Sequence, residues 1–167
     1  APEGKRPVGD GWFVVNARET AWYDNEKFGA TAPFEGETRF GQYGVNIHVL
    51  QPGQPNCHYH GESDQEDFLV LEGECRVLIE GREVRLRKWD FVHCAPFTDH
   101  VFVGAGTGPC AILMVGARSR GGKVRYPVSR LARKHGAGVA KATADPKVSY
   151  ADCPPWQRAR KPPAPFA

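Results

Sequence analysis

Short runs of alternating apolar and polar residues dominate the middle of this chain. In GVNIHVLQ (44–51) and EVRL (83–86), apolar and polar residues alternate with the period of two that places successive side chains on opposite faces of a β-strand. Further runs of strand-forming residues are separated by glycine, proline and other turn residues, and they cover 12–15, 58–60, 66–72, 75–81, 90–94, 101–106 and 110–118. The pattern predicts at least eight short strands and no helix before residue 122. Strands spaced this regularly favour a closed barrel or a two-sheet jelly roll.

The pattern changes after Gly121 and Gly122. The segment PVSRLARKH (127–135) is the best helix candidate, because proline suits a first helical turn and Gly136 follows as a stop. The proline-rich stretch 154–167 predicts an extended tail, which Trp156 and Phe166 could anchor to the barrel or to a neighbouring subunit.

We therefore divide one domain into three parts. Residues 1–39 are predicted to form an arm with an edge strand at 12–15, residues 40–118 a β-barrel core, and residues 119–167 a helix with a basic tail. A chain of 167 residues is long enough for one well-buried core.

Composition and charge bear on the location of the protein and on its partners. Five cysteines without a CxxC pair predict reduced thiols, and no segment has the apolar length of a membrane span or of a signal peptide, so we expect a soluble, cytoplasmic protein with no membrane partner. The net charge of +3 is uneven, since residues 123–167 carry 10 basic against 2 acidic residues. We interpret this excess as a solvated or self-docking extension. No recognition helix or aromatic platform accompanies it, so we expect no nucleic-acid partner.

The candidate chemistry lies in HYHGESDQEDFLVLEG (58–73) and in His100. His58 and His60 would project from the same face of an extended strand, Glu66 begins the apolar run that follows, and His100 comes after a proline-containing turn. Imidazole and carboxylate together suit one divalent transition-metal ion, namely Zn, Fe, Mn, Ni or Co. Three histidines and one glutamate would leave one or two coordination positions for water or substrate, and an open position is typical of a catalytic metal.

These two segments resemble the two motifs of the cupin superfamily. Gly53, His58, His60, Glu66 and Gly73 match the first motif, and WDFVHCAPFTDH (89–100) resembles the second, with His100 at its end. The resemblance covers roughly residues 40–118. It implies an all-β fold, the cupin double-stranded β-helix or jelly-roll barrel, here with a short C-terminal helix and an extended tail. It also implies a metal bound by His58, His60, Glu66 and His100.

Some positions keep alternatives open. The gap between His60 and Glu66 is longer than the usual pattern, so Glu62 or Asp64 could coordinate in place of Glu66, although Glu66 has the six-residue spacing to Gly73 and the same parity as Phe68 and Val70. His48 could line a pocket or be a satisfied histidine of the sheet. His93 could assist the site or have a structural role. A thiol ligand from Cys57 or Cys94 is a further alternative, and Arg76 could meet an anionic substrate or simply be solvated.

The resulting functional hypothesis is metal-dependent chemistry on a small polar metabolite held in the barrel, of oxygenase or isomerase type. The alternative is a non-catalytic cupin that binds or senses a small ligand, and a third possibility is a metal that serves stability alone. The edge strand at 12–15 and the tail with Trp156 also favour a homodimer, because an uncovered strand edge needs a partner or a cover.

Overall fold

The computed structural model describes residue 4 and residues 6–36 and 39–167. The predicted N-terminal arm therefore lies partly outside the described residues. Over the rest, the chain forms twelve strands and two short helices: β1 Tyr23–Asn25, β2 Gly29–Pro33, β3 Tyr43–Leu50, β4 Gly61–Glu62, β5 Glu66–Glu72, β6 Glu74–Ile79, β7 Arg82–Arg87, β8 Phe91–Cys94, β9 His100–Ala105, β10 Cys110–Ala117, β11 Val124–Arg125, α1 Arg130–Lys134, α2 Pro146–Ser149 and β12 Gln157–Arg158.

The strands form one large sheet and two small ones. The large sheet has the order β12-β1-β2-β3-β10-β5-β8, a three-stranded sheet has the order β7-β6-β9, and β4 pairs with β11. All the pairings are antiparallel, and β3 and β10 pair along their whole lengths, from Leu50 opposite Cys110 to Tyr43 opposite Ala117. The structure is mostly β, with 40% strand and 6% helix, and confirms the predicted all-β cupin jelly-roll fold.

The barrel interior is filled by alternate residues of the paired strands. In β10, Ile112 and Met114 join the interior cluster, whereas Ala111 and Leu113 belong to the cluster on the outer face of the large sheet. The interior cluster also contains Phe68 of β5, whose ring centroid lies 4.6 Å from that of Phe102. Because β9 is covered on both faces, all six of its residues are buried.

The C-terminal residues pack against the barrel. Ser129 caps α1 by accepting a hydrogen bond from the Ala132 amide, and Gly136 follows the helix with a φ of 68°. Ala132 packs against the outer face of β9, where it belongs to a buried cluster with Val101 and Val103. The tail adds β12 to the edge of the large sheet, beside β1. Near the end of the chain, the ring centroid of Phe166 lies 5.2 Å from that of Trp22.

Two predicted strands are wrong. Residues 12–15 form no strand, and Trp12 and Val14 are 77% and 90% exposed. The edge of the large sheet beside β1 is formed by β12 instead. Residues 58–60 also form no strand, since the Tyr59 amide donates to the carbonyl of Ala137 and only His60 makes an isolated β-bridge. The expected homodimer, which depended partly on the edge strand at 12–15, stays a prediction.

No helix among the described residues is long and apolar enough to cross a membrane.

Gly104 provides a test of the packing between β9 and the turn after β3. A Cβ atom at Gly104 would lie 2.1 Å from the carbonyl oxygen of Gln51, and this backbone oxygen cannot move away cheaply. We expect Gly104→Ala to lower the free energy of unfolding by about 3 kcal/mol, at the upper end of overpacking costs. Gly108→Ala is the matched control, because nothing lies within 4 Å of its Cβ position. Urea denaturation measures both variants, and equal stabilities would contradict this account.

Candidate metal centre

A pair of backbone hydrogen bonds brings His60 and His100 together at one end of the barrel. The His60 amide donates to the carbonyl of His100 at 3.1 Å, and the His100 amide donates to the carbonyl of His60 at 2.8 Å. The two ring centroids lie 5.0 Å apart. Glu66 begins β5, where it pairs with Gly116 of β10 and Cys94 of β8. Backbone pairing thus brings His60 and His100, which are distant in sequence, to the same site.

The hydrogen bonds of the two imidazoles fix their tautomers. Nδ1 of His60 lies 2.8 Å from the carbonyl oxygen of His58, and Nδ1 of His100 lies 3.0 Å from that of Thr98. A carbonyl oxygen only accepts, so both Nδ1 atoms carry the proton and donate. In the neutral imidazole this tautomer leaves the lone pair on Nε2, which is the form of histidine that binds a metal.

The Glu66 carboxyl group lies close to both of these lone pairs. Its Oε2 atom is 3.5 Å from Nε2 of His100 and 4.0 Å from Nε2 of His60. The ligand atoms of the three residues all lie within 4.8 Å of one another, a group that could hold a metal ion. Three potential electron-pair donors thus converge, and a cation between them would replace their mutual repulsion by attraction.

Burial sets the protonation of this cluster. It raises the pKa of Glu66 to about 8, with a further contribution from the negative charge of Glu62. Burial also lowers the pKa of His100 to about 4, and the neighbouring His60 acts in the same direction. Without a cation, the site at neutral pH therefore favours an uncharged carboxyl group beside an uncharged imidazole.

The two alternative carboxylates have different positions. Glu62 lies beside the cluster, with Oε1 3.8 Å from Nε2 of His60, but it does not belong to the group that could hold a metal. Asp64 accepts a hydrogen bond from the backbone amide of Ser119 at 3.1 Å. The geometry therefore favours Glu66 over both alternatives.

The structure does not bring His58 into this cluster. Its Nε2 atom lies 2.9 Å from the Lys27 ammonium, and its Nδ1 atom lies 3.0 Å from the hydroxyl of Ser149. Its ring stacks on Tyr150, with 4.6 Å between the centroids and 4° between the planes. Burial, followed by the charge of Lys27, lowers the pKa of His58 to about 4. His58 is thus a neutral histidine that holds the C-terminal segment.

His58 points away because its backbone is not part of a strand. Its amide donates to the hydroxyl of Tyr150, so it takes part in no strand pairing that would align its side chain with that of His60. The side-chain parity that predicted a pair of adjacent ligands applies only to regular strands.

The other candidates lie away from the three converging atoms. His48 is buried and donates from Nε2 to the carbonyl of Phe28 at 2.9 Å. His93 is exposed and lies 2.6 Å from an oxygen of Asp67. Cys57 touches His60 at 3.5 Å, but at Nδ1 rather than at the free Nε2. Separately, Arg76 pairs with Glu83 at 3.1 Å, and Cys94 is buried in the interior cluster.

A cavity of about 740 Å³ opens over the three converging side chains. Asn46 and Asn56 supply polar groups to its wall, and Phe68 and Met114 supply apolar surface. Arg39 and Lys123 line it as well, and neither was singled out from the sequence, because a single basic residue in a loop carries no pattern. A polar cavity next to a buried cluster of possible ligands is typical of a small-molecule site.

Comparisons with known proteins agree with this architecture. The family model of the cupin domain matches residues 46–116. A comparison with curated proteins finds no significant match. Among solved structures, a sugar phosphate isomerase of the cupin superfamily from Silicibacter pomeroyi is 23% identical, with a TM-score of 0.55 over 74% of this chain and 76% of its own.

Two other solved structures extend the comparison. The polyketide cyclase RemF from Streptomyces resistomycificus is 14% identical, with a TM-score of 0.57 over 66% of this chain and 82% of its own. A structure from Acidithiobacillus ferrooxidans is 23% identical with a TM-score of 0.47, and the match covers 50% of this chain and 55% of that one. At these identities the likeness to the Silicibacter pomeroyi isomerase and to RemF shows the fold alone. The family model identifies residues 46–116, the core of the barrel, as a cupin domain.

Proposed function

We propose that the protein binds one divalent transition-metal ion through His60, Glu66 and His100, and that it uses this ion in chemistry on a small polar metabolite. The observation that supports the proposal is the convergence of two imidazole groups and a partly buried carboxyl group, whose ligand atoms lie within 4.8 Å of one another. Two histidines and one carboxylate with open positions are typical of non-haem iron centres, and related donor sets bind zinc, manganese, nickel or cobalt.

The residues around the ion define what the site can do. A bound divalent ion supplies Lewis-acid polarisation of a substrate oxygen. The backbone carbonyls at Nδ1 hold the imidazoles of His60 and His100 in the orientation needed for binding. Glu62, 41% exposed at the side chain, lies at the mouth of the site within reach of a bound molecule. We therefore infer a metal-dependent enzyme of oxygenase or isomerase type.

The first prediction concerns which histidines bind the metal. We expect His60→Ala, His100→Ala and Glu66→Gln each to weaken cobalt(II) or zinc(II) binding about 100-fold or more, because removing groups that only support a ligand already costs 10- to 100-fold. His58→Ala is the control, and its metal affinity should stay within about threefold of that of the original protein, a difference of less than 1 kcal/mol. Competition with a chelator measures the dissociation constants.

Folding must be checked in the same series, because His58 supports the C-terminal segment. A thermal melt of each metal-free variant separates lost binding from lost structure. Metal affinity that falls in a folded His58→Ala variant as steeply as in His60→Ala would contradict the three-residue site.

The second prediction concerns pH. Metal binding requires an ionised Glu66, whose pKa in the metal-free protein is about 8, so a proton must leave when the ion binds below that pH. Affinity should therefore fall by about tenfold per pH unit from pH 8 to pH 6 and level off above pH 8. His100 adds no competing proton in this range, because its pKa is about 4. Calorimetry at several pH values tests this, and an affinity that is constant between pH 6 and pH 8 would contradict it.

The third prediction concerns turnover. Metal-free protein reconstituted without oxygen, separately with iron(II), manganese, nickel, cobalt and zinc, should convert at least one member of a panel of sugars, keto acids and related metabolites. Oxygen uptake and chromatography of the mixture measure the conversion. Glu66→Gln should be inactive under the same conditions. Binding of a panel member without conversion by any of the five metal forms would instead favour a ligand-binding or sensing module.

A further inference from the structure

The long gap between His60 and Glu66 holds a second segment of the chain in place. Ser63 exchanges two hydrogen bonds with Lys123, because its amide donates to the Lys123 carbonyl at 2.8 Å and its hydroxyl accepts from the Lys123 amide at 2.8 Å. Asp64 accepts from the amide of Ser119 at 3.1 Å. The backbone of Gln65 accepts from the amide of Ala117 at 3.0 Å. Successive residues of the gap thus fix the connection between β10 and β11.

This arrangement places Lys123 at the metal cavity. The residue after it, Val124, pairs with Glu62 in the two-stranded sheet, so the backbone on both sides of the Lys123 side chain is held. Lys123 and Val124 both line the cavity, whereas Arg120, three residues earlier in the same connection, does not. The backbone thereby holds the flexible Lys123 side chain at one wall of the cavity.

Arg39 contributes a second positive charge to the same cavity. Among the described residues, neither Arg39 nor Lys123 forms a salt bridge. Arg118, the third cation of the lining, is different, because its guanidinium binds both carboxylate oxygens of Glu35 and the carbonyl of Phe40. Within the part of the chain that the structure describes, Arg39 and Lys123 are therefore the two cations of the lining that no salt bridge holds.

The net charge of the metal-bound cavity favours binding of an anion. Its lining contains three carboxylates, those of Glu62, Asp64 and Glu66, and three cations. Since Glu35 neutralises Arg118 from outside the lining, the metal-free cavity is close to neutral or slightly negative. A divalent ion adds two positive charges, so the metal-bound cavity carries a net positive charge and attracts anions.

We propose that Arg39 and Lys123 form an anion-binding wall of the metal cavity, and that the metabolite bound there carries a carboxylate or phosphate group. This inference rests on the proposed function, because it names the substrate class of the same site. The anionic group contacts the guanidinium and the ammonium, which both bind anionic oxygens, and the rest of the molecule extends toward the metal. The asparagines of the wall offer hydrogen bonds to its polar atoms.

The test uses the full chain loaded with zinc(II) or cobalt(II), after excess metal has been removed. Inorganic phosphate and acetate are the anionic probes, and glycerol is the uncharged probe. We expect phosphate or acetate to bind, glycerol to bind more weakly, and Arg39→Met and Lys123→Met each to raise the dissociation constant of the anion about tenfold, as for loss of one charge-assisted hydrogen bond. Comparing phosphate with acetate shows which group fits better.

Two controls separate the wall from other effects. Arg120→Met removes a positive charge from the same connection outside the cavity lining, so it should leave anion affinity unchanged. Ser63→Ala removes the hydroxyl that holds Lys123, so it should weaken anion binding without changing metal affinity. Calorimetry measures anion and metal binding for every variant.

The outcomes are distinct. Anion affinity that is equal in the original protein, Arg39→Met and Lys123→Met would overturn the anion-binding wall while leaving metal binding intact. A loss of anion affinity in Arg120→Met as large as in Arg39→Met and Lys123→Met would also overturn it, because it would show a general effect of positive charge. A chain that binds no metal would contradict the proposed function directly, and this result is recognised from the metal titration before any anion is added.

Discussion

The site depends on the burial of a carboxyl group opposite two imidazole lone pairs. Glu66 cannot ionise there without cost, and burial therefore raises its pKa to about 8. The Nδ1 atoms of both histidines donate to backbone carbonyls, so in the neutral imidazoles the Nε2 atoms are the acceptors. A divalent cation would be attracted by all three groups at once and would offset the cost of ionising Glu66.

The backbone of the barrel maintains this arrangement. The reciprocal hydrogen bonds between His60 and His100 fix the separation of the two Cα atoms, and the carbonyls two residues before each histidine fix the ring orientation. Because Phe68 and Phe102 fill the interior directly below, the imidazole of His100 packs against aromatic rings with centroid distances of 5.1 and 6.1 Å. The site is therefore positioned before any ligand binds.

Much of this could be predicted from the sequence, because strands with one buried face carry a period of two. The strands from β5 to β10 lie close to the predicted runs, and His60, Glu66 and His100 are brought together as the motif resemblance implied. The short strands β1 and β2 could not be predicted, since apolar and polar residues do not alternate in them. Their pairing also depends on parts of the chain that are distant in sequence. The run at 12–15 shows the reverse case, in which strand-forming residues find no neighbouring strand to pair with.

The position of His58 shows why a local motif was insufficient. Two histidines at i and i+2 share a face only where the backbone is regular, and here the hydroxyl groups of Ser149 and Tyr150 bind His58 from about ninety residues away. Lys27 donates to the same imidazole, so its Nε2 lone pair is already occupied. The C-terminal segment that binds His58 also contributes β12 to the large sheet, and its Phe166 ring packs on Trp22. We therefore attribute the position of His58 to the docking of this segment, and the proposed set of three ligands would leave more of the coordination sphere for a bound metabolite than a set of four.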